Sequence, residues 1–387
     1  MKTSTCLIAW TCLVLMLSGC WSKMELTERA FVLAIAIDKG EKDNLELTVQ
    51  IYRPVSQFGA PSVKEEKSAF VNVTLEGPSI FSIIRKNTAV TGRRSQFSHT
   101  QILIISEEIA KEGLSGILDF FFRDPEIRLN TSVIIAKGKA RDYLTGKPLI
   151  ENTLGSQIEK QLDFSTSVAG MTIKANLLDL AFQLKNESES AMLPYIIRDR
   201  KFQQDLTQGI ALVKKDKMIG WIEPSKAGYL LMLADQYKYG VVEIPCDRES
   251  SNKPVETFEI LKVDTKMNPT IKGNAISVRF DVQIVGSIGD LVCTSIQDMM
   301  DEMKYVEKTE RYVEEQLESV LKTLQKQNVD ALGIGHKLFL QHPSQWKKIK
   351  PDWSERYSHI SFDTKVKVRI LNSKMMNPGP FGQTDKN

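Results

Sequence analysis

Residues 101–136 read QILIISEEIAKEGLSGILDFFFRDPEIRLNTSVIIA, and the order of patterns inside this stretch decides the fold class. Gln101 to Ile105 is a short apolar run of the kind that forms a buried strand. Ser106 is suited to cap a helix, and Glu107 and Glu108 follow in its first turn, where the helix dipole favours negative charge. Ile109 to Phe122 carries helical periodicity, although Gly113 and Gly116 each weaken it. Thr131 to Ala136 is again an apolar strand. Strand, helix and strand in about 36 residues predict a mixed α/β module.

The same reading extends in both directions. Upstream, Ala30 to Asp38 predicts a buried strand, Lys39 to Asn44 a turn, and Leu45 to Tyr52 a strand whose alternation predicts one wet face. Residues 53–68 predict a mobile loop, Ala69 to Leu75 a strand, and Gly77-Pro78-Ser79 the start of a helix reaching Val90, with proline just inside it. Downstream, Ala140 to Leu144 predicts a short helix, 154–185 a helical region and Met192 to Ile197 a strand. A charged patch at Asp199–Asp205 predicts a domain boundary. Beyond it come a hairpin (Gly209–Val213 and Met218–Trp221), a helix from Glu223 to Asp235, and strands near 239–245, 255–267 and 274–287. A long amphipathic helix follows from Ile296 to about Gln327, its stripe formed by Ile296, Met299, Met300, Met303, Val306, Val313, Leu317, Leu321 and Leu324. It is expected to lie across the C-terminal sheet; a coiled-coil surface is the alternative. Thr364 to Ile370 closes the fold. The whole predicts an α/β (α+β) protein of several domains with mixed and antiparallel sheets and no common superfold. Residues 20–198 are expected to form an N-terminal α/β domain, with two subdomains as the alternative, 206–372 a C-terminal sheet and long helix, and 373–387 a disordered tail.

The N-terminus has its own logic. Leu7 to Leu17 is apolar but little more than half the roughly 20 residues needed to cross a bilayer. Met1 and Lys2, the short apolar run and the small residues after it have the layout of a secretory signal over residues 1–19. Leu17-Ser18-Gly19-Cys20 resembles a bacterial lipobox, whereas an ordinary signal with a chance cysteine is the plainer reading. The lipobox implies cleavage after Gly19, with Cys20 carrying S-diacylglyceryl and N-acyl chains. Two or more chains anchor stably where one is marginal, so the expected mature chain is tethered to the extracytoplasmic face of a membrane.

Composition limits the function. Fifty-one basic and 48 acidic residues give a formal charge of +3, with 26% charged and 42% hydrophobic residues. Charges are interleaved without a basic aromatic stripe, so nucleic acid is excluded as a partner. Among five cysteines, Cys6 and Cys12 fall in the signal and Cys20 is the anchor. Cys246 and Cys293 sit beside strand-like sequence and read as two separate buried thiols, an exported disulfide being the alternative. His99, His336, His342 and His359 have no metal-ligand or triad spacing. Gly146-Lys147-Pro148 is no P-loop, Gly333-Ile334-Gly335 is no dinucleotide fingerprint, and no G-x-S-x-G elbow occurs. No catalytic residues, metal or cofactor are expected.

Two polar clusters remain. Arg123-Asp124-Pro125-Glu126-Ile127-Arg128 reads either as a salt-bridged turn between helix and strand or as a partner-contact surface on Arg123, Asp124 and Arg128. Trp346-Lys-Lys-Ile-Lys-Pro-Asp-Trp353 reads as a solvated edge around two packed tryptophans, with a lysine contact to an anionic membrane as the alternative.

Several stretches together resemble the C-subunit lipoproteins of spore germinant receptors, the Ger(x)C (GerAC- and GerBC-like) family. They are Gly19-Cys20-Trp21 with Glu25-Leu26, Ala30-Phe31-Val32 through Ile37-Asp38 to Gly40, Ser98-His99, Ser106 to Gly113, and Arg123 to Arg128. Gln325-Lys326, Asp330, Gly333-Ile334-Gly335, Trp346-Lys-Lys and Trp353 continue the resemblance. Ala34 and Ala36 stand where the family often has glycine, and Asn372-Ser373 where its last strand usually meets one. The resemblance implies a non-enzymatic palmitate-type lipoprotein subunit at the spore inner membrane. It would be needed for germination and act with a multi-spanning A-subunit and a transporter-like B-subunit, with no direct small-molecule ligand of its own. An extracytoplasmic solute-binding lipoprotein of a transporter is the second reading and an exported enzyme the third.

Overall fold

The computed structural model describes residues 25–53, 68–199, 204–246, 254–273 and 275–371. The expected signal segment, Cys20, most of the 53–68 loop and the 373–387 tail lie outside the described residues.

The first half is built on a nine-stranded sheet. Its elements are β1 (Arg29–Lys39), β2 (Leu45–Tyr52), β3 (Phe70–Gly77), α1 (Ile80–Thr91), β4 (Arg94–Gln96), β5 (Ile102–Ser106), α2 (Glu107–Glu112), α3 (Ser115–Arg123), β6 (Ser132–Ala136), α4 (Leu154–Ser167), α5 (Leu177–Lys185), β7 (Ser190–Asp199), β8 (Gln204–Lys214) and β9 (Lys217–Ile222). Strands run in the order β3-β2-β1-β5-β6-β7-β8-β9, with β4 also on β1. The centre, β1, β5, β6 and β7, is parallel and the two flanks are antiparallel hairpins. Parallel strands need helical crossovers, and these cover both faces. Alternation in β1 sends Ile35 and Ile37 into the core under α1–α3, and Ala34 and Ala36 into the core under α4.

The two alanines have a steric reason. Gly155, in the first turn of α4, packs so closely that a Cβ there would lie 2.7 Å from the Ala34 Cβ. The same helix covers the face of β2 that the sequence predicts to be wet. Glu46, Thr48 and Gln50 are buried, because each finds a partner. Arg141 pairs with Glu46 at 2.8 Å, Thr48 bonds Thr74, and Gly155 N donates to Gln50 Oε1 at 2.9 Å. Asp38, buried at the end of β1, accepts the backbone N–H groups of Ala140 and Arg141 and so fixes the 3₁₀ turn Ala140–Leu144. Burial pushes its carboxyl above the ordinary range, although those two N–H groups oppose the shift.

Three expected helices differ in detail. Ser106 does cap α2, accepting Ile109 N, but the run to Phe122 breaks at Gly113, whose φ is +147°. There the β8–β9 turn inserts: Leu114 N donates to the Asp216 carbonyl and Ser115 Oγ to its carboxylate. The 154–185 region breaks into α4 and α5, since Ala175 must pair with Val133. At α1 the N-cap is Ser79, so Pro78 precedes the helix and is not within it.

The second half comprises α6 (Pro224–Leu233), β10 (Gly240–Pro245), β11 (Val255–Lys272), β12 (Ala275–Ile288), α7 (Met299–Gln327), α8 (Ile334–Gln341), α9 (Pro343–Ile349), α10 (Trp353–Ser358) and β13 (Ser361–Ile370). The sheet order is β10-β11-β12-β13, with the last pair parallel. The long helix lies across it, as expected, but its buried face is Tyr305, Thr309, Val313, Leu317, Val320, Leu321 and Leu324. Met299, Met300 and Met303 are exposed. They sit on the first turns, before the helix reaches the sheet.

Cys246 and Cys293 form a disulfide with a Cα–Cα distance of 5.8 Å, which overturns the reading of two buried thiols. β10 and β12 both run antiparallel to β11, so their C-terminal ends lie beside the start of β11 at the same end of the sheet and bring the two cysteines together. Beside the bridge, buried Glu256 accepts Lys308 at 2.6 Å and Cys293 N at 3.2 Å. Burial raises this carboxyl, but Lys308 and Thr294 outweigh it and leave it below its ordinary value.

Closing a loop with a sequence separation of 47 should contribute roughly 4 kcal/mol by the chain-entropy argument. The double variant Cys246→Ala/Cys293→Ala should therefore lose about 2–4 kcal/mol in denaturant unfolding. An unchanged midpoint would show that the bridge adds nothing.

Candidate functional site

The sheet face that carries α1 and α3 leaves a groove of about 680 Å³ between these helices. Ser79 sets where α1 begins: its Oγ accepts Ser82 N at 3.2 Å. The helix then buries Ile80 and Ile83 and leaves Phe81 59% exposed, its ring under the Arg85 guanidinium. In α3, Ile117, Leu118 and Phe121 enter the core, which turns Phe120 towards the groove. Leu45, Pro78, Ile80, Ile109 and Ile117 complete an apolar lining, and Glu112, Asp119, Arg123 and Asp124 make a polar rim. Glu112 is held by Lys39 and Asp119 by Arg123.

The predicted contact residues thus separate. Arg123 and Asp124 line the groove; Arg128 is exposed and lies outside its lining. The turn itself is fixed by other groups. Asp124 Oδ1 accepts Glu126 N at 2.9 Å, Glu126 pairs with Arg94 at 2.8 Å, and Ile127 is buried. It is a salt-bridged turn, but through Arg94 and not through Arg123 or Arg128. The aromatic walls Phe81 and Phe120 were not singled out from sequence; the Phe120-Phe121-Phe122 run was the signal, since three consecutive rings cannot all face one core.

A second polar cluster ties the halves together. Asp330 is buried and accepts Ile334 N at 2.8 Å, Gly335 N at 2.7 Å and Ser188 Oγ at 2.8 Å. Next to it, Glu187 accepts the Trp346 indole N–H at 2.7 Å and pairs with Lys350, and those two bonds lower its carboxyl's pKa. Trp346 and Trp353 are packed edge to face at 5.0 Å, the packed pair expected from sequence.

Chemistry elsewhere is sparse. His99 is exposed and meets the edge of Phe31. His359 contacts Ser358 and the Glu355 carbonyl. Among the described residues, the one group with metal-ligand proximity is Cys246, Glu256 and Cys293, and there both sulfurs are bonded to each other.

These features define a two-sheet α/β protein with an apolar groove and no clustered catalytic side chains among the described residues. The family model for the spore germination protein N-terminal domain matches residues 22–198, and that for the spore germination B3/GerAC-like C-terminal region matches residues 208–374. The chain belongs to the Ger(x)C family of spore germination proteins. It is 28% identical over 402 aligned residues to spore germination protein KC of Bacillus subtilis (strain 168), covering 96% of this chain and 97% of that one. Spore germination protein B3 of the same organism is 25% identical, with 96% and 98% covered. The crystal structure of the GerBC protein shares the fold, with TM-score 0.55, 21% identity, and 87% of this chain and 97% of that chain covered. The first family match ends within β7 and the second begins within β8, either side of the predicted boundary, yet β7, β8 and β9 belong to one sheet.

Because the Arg123–Asp119 pair is exposed on both sides, Arg123→Glu should cost less than about 1 kcal/mol, whereas Phe121→Ala should cost about 3–5 kcal/mol. Denaturant unfolding of both variants tests this; equal losses would make Arg123 a structural residue.

Burial raises the Asp330 carboxyl from 3.8 to about 6. A folded pKa above the unfolded one means the folded chain binds the extra proton, so this site's stability contribution is full below about pH 4 and lost as pH rises through about 6. The wild type should gain about 1–2 kcal/mol relative to Asp330→Asn between about pH 7.5 and pH 5. A pH-independent difference in unfolding free energy would refute that titration.

Proposed function

We propose that this chain is the lipid-anchored C-subunit of a nutrient germinant receptor in the spore inner membrane. On this reading it is a non-enzymatic part of the germination response, held on the extracytoplasmic face by acyl chains on Cys20. The observation that carries the proposal is family similarity in two consecutive matches over residues 22–374, beginning two residues after the lipobox cysteine. No helix among the described residues is long and apolar enough to cross a membrane, which fits attachment by lipid. The partners are a multi-spanning A-subunit and a transporter-like B-subunit. The groove between α1 and α3, with Arg123 and Asp124 on its rim, is the contact surface: an apolar floor with a charged border has the make-up of a protein interface. A tether raises the effective concentration of such a surface at its membrane partners. A solute-binding lipoprotein would need two similar lobes about a cleft; here the two sheets differ in size and topology, and β8 and β9 contribute side chains to both cores.

Spores expressing Cys20→Ala in place of the parent should lose the response to particular nutrients, and the variant should leave the membrane fraction. The groove variant Phe81→Asp should stay in the membrane fraction with a near-parental melting temperature, since Phe81 is mostly exposed. It should nevertheless fail to co-purify the other receptor subunits. Normal responses to every nutrient in a deletion strain, with no receptor subunit recovered by pull-down of the parent, would overturn the assignment.

A further inference from the structure

β1, β5, β6 and β7 are parallel, so the segments that lead into them gather towards one end of the large sheet. The described chain begins at that end. Leu26, three residues before β1, is 73% exposed. From there a ladder of direct contacts runs sideways: Arg29 pairs in the sheet with Arg94, Arg94 with Glu126, and three residues later the Leu129 carbonyl accepts Leu178 N at 3.0 Å. Leu178 opens an exposed stripe on α5. It is 41% exposed, Phe182 one turn on is 67% exposed, and Lys185 follows on the same face. Leu129 is itself 39% exposed, and Arg128 beside it is exposed too.

The charges along this end are unequal in what they offer. Most of its acids are engaged, though Glu189 before β7 is exposed: Glu25 and Glu28 form a capping box, Asp124 accepts Glu126 N, Glu126 is paired with Arg94, and Asp179 caps α5 through Asn176 N. Arg93, Arg128 and Lys185 make no ion pair among the described residues. Exposed leucine and phenylalanine interleaved with unpaired cations is the pattern of a protein surface that rests on an anionic lipid interface.

Chain length says what lies against it. Four residues lie between Cys20 and Glu25, and the five Cα steps across them span at most about 18 Å. A lipid on Cys20 therefore holds the bilayer surface within about one small-domain radius of Leu26. We infer that this end of the sheet, through Leu26, Leu129, Leu178 and Phe182 with Arg128 and Lys185, docks on the anionic phospholipid surface that the anchor enters. The inference rests on the proposed lipidation of Cys20. It goes further by giving the domain one orientation, with the opposite end of the sheet, where Lys139 is exposed beyond β6, pointing away from the membrane.

The test uses the full lipidated chain in vesicles of equimolar phosphatidylcholine and phosphatidylglycerol. With Cys20 acylated and Cys246 bonded to Cys293, a single added thiol can carry a nitroxide. Leu129→Cys, Phe182→Cys and, as the distant control, Lys139→Cys replace exposed side chains and should melt like the parent. On the vesicles, the labels at 129 and 182 should lose collisions with a water-soluble nickel complex severalfold and gain collisions with oxygen, while the label at 139 stays fully accessible to nickel. Labels at 129 and 182 that remain as nickel-accessible as 139 would overturn the docking surface. So would loss of access to nickel and oxygen alike, which marks a covering protein such as a second copy. Failure of the protein to float with the vesicles is a separate result: it removes the anchor reading, and the docking inference falls with it.

Discussion

The buried Asp330 carboxylate is the constraint on which the joining of the two halves depends. An unpaired charge in a protein interior is costly, and it survives only where donors are fixed around it. Here the donors come from both halves: Ser188 lies in the turn before β7, and the Ile334 and Gly335 N–H groups open α8. A helix start is suited to this, because its first N–H groups have no intrahelical partners. Gly335 has no room for a side chain, since a Cβ would meet Trp346 at 2.6 Å and the Asp330 carboxylate at 3.1 Å. The glycine, the aspartate and the tryptophan therefore specify one another, and Glu187 extends the joint by holding the Trp346 indole and Lys350.

A comparable logic operates at the other end of the large sheet. Asp38 ends β1 by accepting two N–H groups of the 140–144 turn, which places Arg141 against Glu46. Small residues on the same face, Ala34 and Ala36, let α4 approach until Gly155 touches the strand. Buried polar groups and missing side chains thus set where the covering elements sit, and the apolar contacts fill the space they leave. The groove is the counterpart on the opposite face: α1 and α3 turn Ile80, Ile83, Ile117, Leu118 and Phe121 to the core and Phe81 and Phe120 to the gap between them, which nothing in the described chain fills.

Much of this architecture was legible in sequence because it rests on local pattern. Apolar runs bounded by turns gave β1, β5, β6 and the C-terminal strands, Ser106 marked a helix start, and three- and four-residue spacing gave α7. What was not legible depends on distant partners. Leu45 to Tyr52 alternates like a half-exposed strand, and only the arrival of α4 and Arg141 makes its polar face a buried one. Gly113 reads as a weak point in one helix, but it takes Asp216 from the β8–β9 turn to make it a break. The helices α8, α9 and α10 are too short for periodicity to emerge, and Gly333 and Pro343 interrupt the run. The disulfide was missed because two cysteines beside strands look alike whether or not sheet order brings those strand ends together. For the groove, Arg123 and Asp124 stood out as charges, while Phe81 and Phe120 could be recognised only once two helices were seen to stand apart.

The two halves also differ from domains joined by a hinge. A hinge needs a segment that few contacts cross, and residues 199–204, where composition suggests a break, connect two strands of one sheet. Beyond that point, β8 and β9 serve both cores at once: Ala211, Val213 and Met218 face the N-terminal core, and Ile210, Leu212 and Ile222 face the C-terminal one. Bending between the halves would have to open a shared sheet, and it would also strip Asp330 of the Ser188 hydroxyl and separate Lys214 from the Asn328 carbonyl and Ser354. The first loss would leave the buried Asp330 carboxylate short of a donor, at a cost of about 1–3 kcal/mol, and the second would break half-buried contacts of the Lys214 ammonium. Any displacement imposed on the sheet by a partner in the groove is therefore carried to the C-terminal helices by the body as a whole, and a signal passing through this protein would be read as a change of position, not as a change of internal shape.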